Sequence, residues 1–406
     1  MKEKKEIVVM KFGGTSVGDA DKIRRVADRI IASKEDDKYV VVTVSAMGDT
    51  TDRLIDLAAE VSDDPSRREM DMLLSTGEQV SVAILSMAIH KKGHKCISLT
   101  GIQAGIFTDD TYSNAKILNI KADRVLRELK KENIVIIAGF QGSNSEGDIT
   151  TLGRGGSDTT AVAMASALKA DYCEIYTDVD GVFSTDPNLV EEAAKMHSLS
   201  YDEMLELASS GAKVLHLRAV EFAKKHDVVL HVRSSFNKNE GTWVMNEKKL
   251  DKRLEKPLIT GVTYDTNQVK ISIFKLEDKP GIAASLFRKF AENDINIDLI
   301  VQNVSEKNQA SISVTIKNED LSIAKRVLDE LDQKHVEIDP DISKISIVGA
   351  GMQTHPGVAA RMFELLAGKQ INIEMISTSP IRISCVIRKA SAREAVKVLH
   401  QGFDID

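Results

Sequence analysis

One segment in the C-terminal third occurs twice, and no other feature limits the possible folds as tightly. Lys279–Ile300 (KPGIAASLFRKFAENDINIDLI) aligns over 22 ungapped positions with His355–Ile376 (HPGVAARMFELLAGKQINIEMI), 76 residues downstream. Each copy follows a β-branched run, Lys270–Phe274 or Lys344–Val348. Each is followed by a second run and a helical pattern: Ile312–Ile316 with Ser322–Leu331, and Ile383–Ile387 with Ala392–His400. The unit therefore reads strand, Pro-Gly loop, helix, strand, strand, helix, present in tandem.

The residues before the repeat obey a different rule. Short apolar runs, Ile7–Lys11, Tyr39–Val44, Cys96–Leu99, Ile134–Ala138, Tyr172–Tyr176 and Val228–Val232, alternate with longer amphipathic stretches such as Asp19–Ala32, Arg67–Lys92 and Asp158–Leu168. Nearly continuous apolar strands flanked by helices predict a mainly parallel sheet covered on both faces. Ligands of such sheets bind where loops leave the carboxyl ends of the strands. The charged stretch Asn246–Pro257 (NEKKLDKRLEKP) breaks the alternation and reads as a linker. The expected organisation is one domain over residues 1–245, a linker over 246–257, and the two repeats beyond it.

Composition narrows the function classes. Lys and Arg number 54 against 61 Asp and Glu, a net charge of −7 with no basic tract, which disfavours nucleic acid as a partner. Met1–Glu6 leads into only four apolar residues, and no 18-residue apolar run follows, so neither a secretion signal nor a membrane span is expected. Cys96, Cys173 and Cys385 form no C-x-x-C pair, which argues against disulfide and zinc scaffolds and for a reducing, cytoplasmic setting.

Five glycine- and hydroxyl-rich segments could carry chemistry, four of them placed where strands end. Lys11-Phe12-Gly13-Gly14-Thr15-Ser16-Val17-Gly18 joins a lysine to glycines that let backbone N–H groups approach a phosphate. It is not a Walker loop, because Asp19 follows Gly18, and alone it reads equally as a tight turn. Ser45-Ala46-Met47-Gly48-Asp49-Thr50-Thr51-Asp52 opens a helix, which suits a carboxylate or phosphate, or plain capping by Thr50 or Thr51. Ser75-Thr76-Gly77-Glu78 offers a glutamate for an ammonium group, or a solvated helix position. Thr150–Thr160 (TTLGRGGSDTT) is the most pointed: three glycines surround Arg154, whose guanidinium can grip a carboxylate with two parallel hydrogen bonds, before Ser157 or Asp158 opens a helix. Tyr176–Asn188 (YTDVDGVFSTDPN) could hold a nucleotide by stacking on Phe183, or be an ordinary turn-rich loop.

Taken in order, KFGGTSVG at 11–18, SAMGDTTD at 45–52, STGE at 75–78, GFQG at 139–142, TTLGRGGSDTTA at 150–161, YTDVDGVFSTDP at 176–187 and GAKVLH at 211–216 resemble the aspartate kinases, and the paired repeats resemble ACT domains, small amino-acid-binding modules. The resemblance implies a three-layer α/β/α sandwich with a mostly parallel sheet, followed by two ferredoxin-like ACT domains. It places one ACT domain over 265–340 and the other over 341–406 with the strand 258–264 added. It also implies transfer of the ATP γ-phosphoryl group to the side-chain carboxylate of L-aspartate, the first step towards lysine, threonine and methionine. Lys11, Gly13, Gly14 and Asp158 would be catalytic, and Ser45, Thr51, Glu78, Phe140, Arg154 and Ser157 would hold aspartate. Thr177, Asp178, Phe183, Asp186 and Lys213 would join Lys11, Gly13 and Gly14 at ATP, with Mg2+ carried mainly by the phosphates. Asp278, Gly281, Ile282, Asn296, Ile297, Asp298, Gln302 and Asn303 would form an effector pocket for threonine, lysine or both, in at least a dimer formed through the ACT sheets. One departure stands out: Asn188 occupies a position where many aspartate kinases carry an arginine. Since the second repeat runs almost to Asp406, no fused homoserine dehydrogenase is expected. The alternatives are another carboxylate-phosphorylating kinase and a silent amino-acid sensor.

Overall fold

The structure is a computed structural model that describes residues 5–212, 214–250, 258–305, 309–331, 333 and 335–405. The expected linker at 246–257 therefore lies partly outside the described residues. The chain forms two compact units, the first made of residues 1–182, 195–208 and 213–252, the second of 183–194, 209–212 and 253–406.

The first unit is built on an eight-stranded sheet. Its order is Ser198–Ser200, Thr242–Met245, Leu230–Ser234, Tyr172–Thr177, Ile7–Phe12, Tyr39–Val44, Ile134–Ala138, Cys96–Leu99. Every pairing is parallel except Leu230–Ser234 with Thr242–Met245. Alternation sends Val8, Met10 and Phe12 to one face, where Ile23, Val26 and Ile30 of helix Ala20–Glu35 and Val82, Leu85 and Ile89 of helix Arg67–Lys91 meet them. Helix Gly156–Leu168 packs on the opposite face and is buried almost throughout, its alanines allowing a close approach to the sheet. Helix Arg67–Lys91 has the length and apolarity of a membrane span, yet it seats Asp71 and Glu78 inside the protein and is a core helix.

A second, four-stranded sheet was not expected from the sequence. Ile117–Ile120, Ile106–Thr108, Gln141–Ser143 and Ile149–Thr151 pair in that order. Strands this short carry too few residues for a visible alternation. They nevertheless hold the ends of the GFQG and TTLGRGG segments.

The second unit contains one antiparallel six-stranded sheet, ordered Ile297–Ser305, Gln309–Lys317, Gly261–Glu277, Val336–Val348, Arg382–Arg388, Met375–Ser379. Its two long central strands serve both repeats: Gly261–Asp265 pairs with Lys344–Val348, and Lys270–Ile273 with Val336–Asp339. Each repeat keeps its own core, around Phe290 in the first and Met362 in the second.

Within this sheet Lys344 is fully buried and paired with Asp298, and its Nζ also donates to the Ser209 carbonyl at 3.2 Å. Burial holds its pKa below the usual lysine value, against the opposing pull of Asp298. Lys344→Ala, which strands Asp298, should destabilise this unit by about 3 kcal/mol, read from the amide-exchange protection of Val336–Val348. The Lys344→Met, Asp298→Leu pair should recover most of that loss. A single-variant effect below about 1 kcal/mol would contradict this account of the pair.

Candidate active site

Lys11 lies one residue before the end of its strand, on the face opposite Met10 and Phe12. Its ammonium reaches Asp158 Oδ1 at 2.6 Å in the first turn of helix Gly156–Leu168, with side chains only 13% and 12% exposed. The helix begins at Gly156, capped by Gly155 in the left-handed region (φ 71°), rather than at Ser157 or Asp158. Asp158 is thereby inside the first turn, free of capping and available to the lysine.

The two loops beside Lys11 interlock. Gly48 N–H donates to Gly14 O at 3.1 Å, and Ser45 N–H to Phe12 O at 3.1 Å. A Cβ on Gly14 would stand 2.8 Å from Ala46 O, so only glycine permits this approach. The helix after the second loop starts at Thr50 with Asp49 at its cap, and neither threonine caps it. Thr50 Oγ1 instead donates to Met47 O at 2.6 Å, and Thr51 is left at the helix start.

Glu78 is not a solvated helix residue. It is 3% exposed, with Oε1 accepting from Ala46 N–H at 3.0 Å and Oε2 without a hydrogen-bond partner among the described residues. Burial pushes its pKa up to about 7, with the Ala46 N–H opposing. Gly77 brings the helix to the loop, since a Cβ there would meet Ala46 Cβ at 2.8 Å. Thus two carboxylates, one ammonium and two glycine loops converge where two strands end.

The arginine loop completes the group. Gly139 lies where a Cβ would be 2.7 Å from Ser157 Oγ, and Phe140 takes a positive φ of 68°, its N–H held by Thr160 Oγ1 at 3.2 Å. A bulky residue in that conformation stores strain, a condition met most often at binding sites. Arg154 stands exposed between Gly153 and Gly155, both at positive φ, and makes no hydrogen bond or ion pair among the described residues. His216 packs its ring against Gly155, and burial lowers its pKa.

The expected nucleotide residues are more dispersed. Thr177 ends a strand and donates to Asp178 Oδ1 at 3.1 Å. Phe183 and Asp186 fall in the second unit, where Asp186 Oδ2 accepts from the Tyr264 hydroxyl at 3.2 Å. Asn188 donates its backbone N–H and side-chain amide to Asp186 Oδ1 at 2.9 and 3.0 Å, so the departure from arginine closes a local turn. Lys213 lies outside the described residues.

In the first repeat, a cavity of about 450 Å³ is lined by Asp278, Pro280, Gly281, Ile282, Gln302 and neighbours. Gly281 caps the following helix at φ 98°. Of the other expected effector residues, Asp298 turns to Lys344, and Asn296, Ile297 and Asn303 are not among the cavity walls.

Comparison with known proteins agrees with this arrangement. Residues 6–234 match the amino acid kinase family, and residues 271–335 and 345–403 each match an ACT domain. An aspartokinase of Geobacillus stearothermophilus is 50% identical over 98% of this chain and 97% of its own. Aspartokinase III of E. coli, crystallised with aspartate and ADP, is 27% identical over 98% of this chain and 99% of that one, with a TM-score of 0.83. The same enzyme crystallised with lysine and aspartate gives 28% identity and a TM-score of 0.78 over 98% and 100%. The chain belongs to the aspartokinases of the amino acid kinase family, with two ACT domains.

Proposed function

We propose that this protein transfers the γ-phosphoryl group of ATP to the β-carboxylate of L-aspartate, giving 4-phospho-L-aspartate and ADP. The observation that carries the reading is the Lys11–Asp158 pair and the buried Glu78 beside interlocked glycine loops, with Arg154 exposed on the loop that leads into the Asp158 helix and unpaired among the described residues. An aspartate substrate presents two carboxylates and one ammonium. Arg154 offers a fork for a carboxylate, and the partnerless Oε2 of Glu78 offers an acceptor for the ammonium. Ser45, Thr51 and Ser157 would add hydroxyl donors and Phe140 an apolar wall to the same site.

Phosphoryl transfer requires positioning and charge neutralisation more than covalent help from the protein. The β-carboxylate is the nucleophile and is ionised at neutral pH, so no general base is needed. Lys11 stabilises the charge on the moving phosphoryl group, the Gly13 and Gly14 amides add donors, and Asp158 holds the ammonium in place beforehand. Thr177, Asp178, Phe183, Asp186 and Lys213 serve the nucleotide. No cluster of three or more His, Cys, Asp or Glu side chains exists among the described residues. Mg2+, which dehydrates reluctantly, would be held mainly by phosphate oxygens. When bound, the ion neutralises phosphate charge. We place the enzyme in the cytoplasm.

The cavity beside Asp278 and Gln302 is the proposed effector site, filled by threonine, lysine or both, in an enzyme that is at least a dimer through its ACT sheets. The amides at the Gly281 helix start receive the effector's carboxylate, and Asp278 and Gln302 its ammonium or side chain.

Lys11→Ala should lower kcat about a hundredfold, a loss of roughly 3 kcal/mol of transition-state stabilisation, with a much smaller change in the aspartate KM. A near-normal kcat in the folded variant would remove Lys11 from the mechanism. Glu78 supplies a second test. Below its pKa of about 7 the carboxyl is protonated, loses its negative charge and holds the substrate ammonium more weakly, so the aspartate KM should rise as pH falls. One linked proton gives at most about tenfold per pH unit, and Glu78→Gln should flatten the profile at a high KM. A wild-type aspartate KM that is constant from roughly pH 8 to 5.5, either side of the buried group's titration, would contradict the assignment. For regulation, Asp278→Ala should leave uninhibited activity intact and raise the inhibitory amino-acid concentration about tenfold, equivalent to ~1.4 kcal/mol. Unchanged inhibition would place the effector elsewhere.

A further inference from the structure

We infer that Asp71 and Arg218, neither of which lies in a glycine-rich motif, are positioning residues that clamp the Arg154 loop for aspartate. The inference rests on the reading that Arg154 grips a substrate carboxylate.

Asp71 is 0% exposed on helix Arg67–Lys91, two turns before Glu78. A carboxylate so placed is costly unless donors replace its water. Here Thr151 N–H and Oγ1–H donate at 2.8 and 2.7 Å, Ser113 N–H at 2.9 Å, and Ser113 Oγ–H at 3.3 Å. All of these donors come from two segments, the strand leading into the arginine loop and the turn beside it. Ser113 accepts a left-handed conformation, φ 66°, to present its N–H.

Arg218 grips the same two segments by their carbonyls. Its Nη1 donates to Leu152 O at 2.6 Å and its Nη2 to Ala115 O at 2.7 Å. Burial lowers its pKa, and the guanidinium spends its donors on backbone oxygens. Ala115 N–H to Thr151 O, at 2.9 Å, ties the two segments directly to each other.

Between these grips, residues 151–153 have little freedom. Leu152 N–H is also fixed to Phe140 O at 2.8 Å, and a Cβ on Gly153 would lie 3.0 Å from Asn114 Oδ1 and 3.1 Å from Ser113 O. Arg154 emerges next, exposed and unpaired. A bidentate grip demands that the guanidinium plane be aimed before the substrate arrives. Opposite charges on the same two segments, the buried Asp71 and the half-buried Arg218, supply that aim. They act on backbone and reach no substrate atom, so their loss should weaken aspartate recognition selectively.

The test measures aspartate and ATP KM, kcat and thermal midpoint for Asp71→Asn, Arg218→Lys and Arg154→Lys in the full chain. Asp71→Asn turns an N–H2 group towards N–H donors, and Arg218→Lys cannot hold two carbonyls in one fork. Both should raise the aspartate KM fivefold or more with the ATP KM within twofold, as Arg154→Lys should. If Asp71→Asn does not fold, Arg218→Lys, at a half-buried site, carries the test. Equal rises in both KM values, or no change in either positioning variant while Arg154→Lys shifts, would overturn the clamp. An unchanged aspartate KM in Arg154→Lys would overturn the underlying reading of Arg154 instead.

Discussion

The ion pair between Lys11 and Asp158 fixes the geometry on which the site depends. It joins the last inward residue of a central strand to the first turn of the helix packed on that face, and both groups are nearly buried. Burial of two charges is tolerated because each supplies what the other lost in leaving water. A lysine held in this way is fixed beside the strand's exit, where the proposed transfer needs positive charge. The glycines around it serve the same end: Gly14, Gly77 and Gly139 bring loops and helices closer than a Cβ would allow, and Gly48 takes a left-handed φ of 52°.

Around that pair, the site sorts its charges by environment. Lys11 and Asp158 meet each other; Glu78 is buried with one oxygen left over; Arg154 is exposed and uncommitted. On the proposed reading the substrate completes two of these three arrangements. Binding free energy would then come from contacts the protein withholds from itself, making the buried glutamate pH-sensitive and the arginine dependent on its supports. The second unit uses similar physics for a different end, with a buried lysine fixing one strand and the backbone at Ser209 inside the sheet.

Much of this was legible in the sequence because it is local or periodic. The central strands and the tandem repeats announced themselves through apolar runs and an ungapped alignment, and the glycine loops through their positions after strands. What escaped depends on contacts distant in sequence. The three-residue strands of the small sheet are too short to show a period. Asp71 reads as one more acidic helix residue until Thr151, 80 residues away, is seen donating to it. Glu78 reads as solvated until the loop at Ala46 covers it. Asp298 was expected to face the Pro-Gly loop from the β-loop-helix order, and that order does not reveal its pairing with Lys344, on a strand 46 residues further along. The departure at Asn188 had no local explanation until its amide was seen closing a turn on Asp186.

The central claim is that a carboxylate of aspartate, and not a hydroxyl or an amine, receives the phosphoryl group. Trapping with hydroxylamine tests it most directly, because only an acyl phosphate yields a hydroxamate. With ATP, Mg2+ and L-aspartate, the account predicts aspartyl hydroxamate in step with ADP release, and little or none from L-glutamate, whose side chain is one methylene longer. ADP release without hydroxamate, or equal trapping from both amino acids, would contradict it.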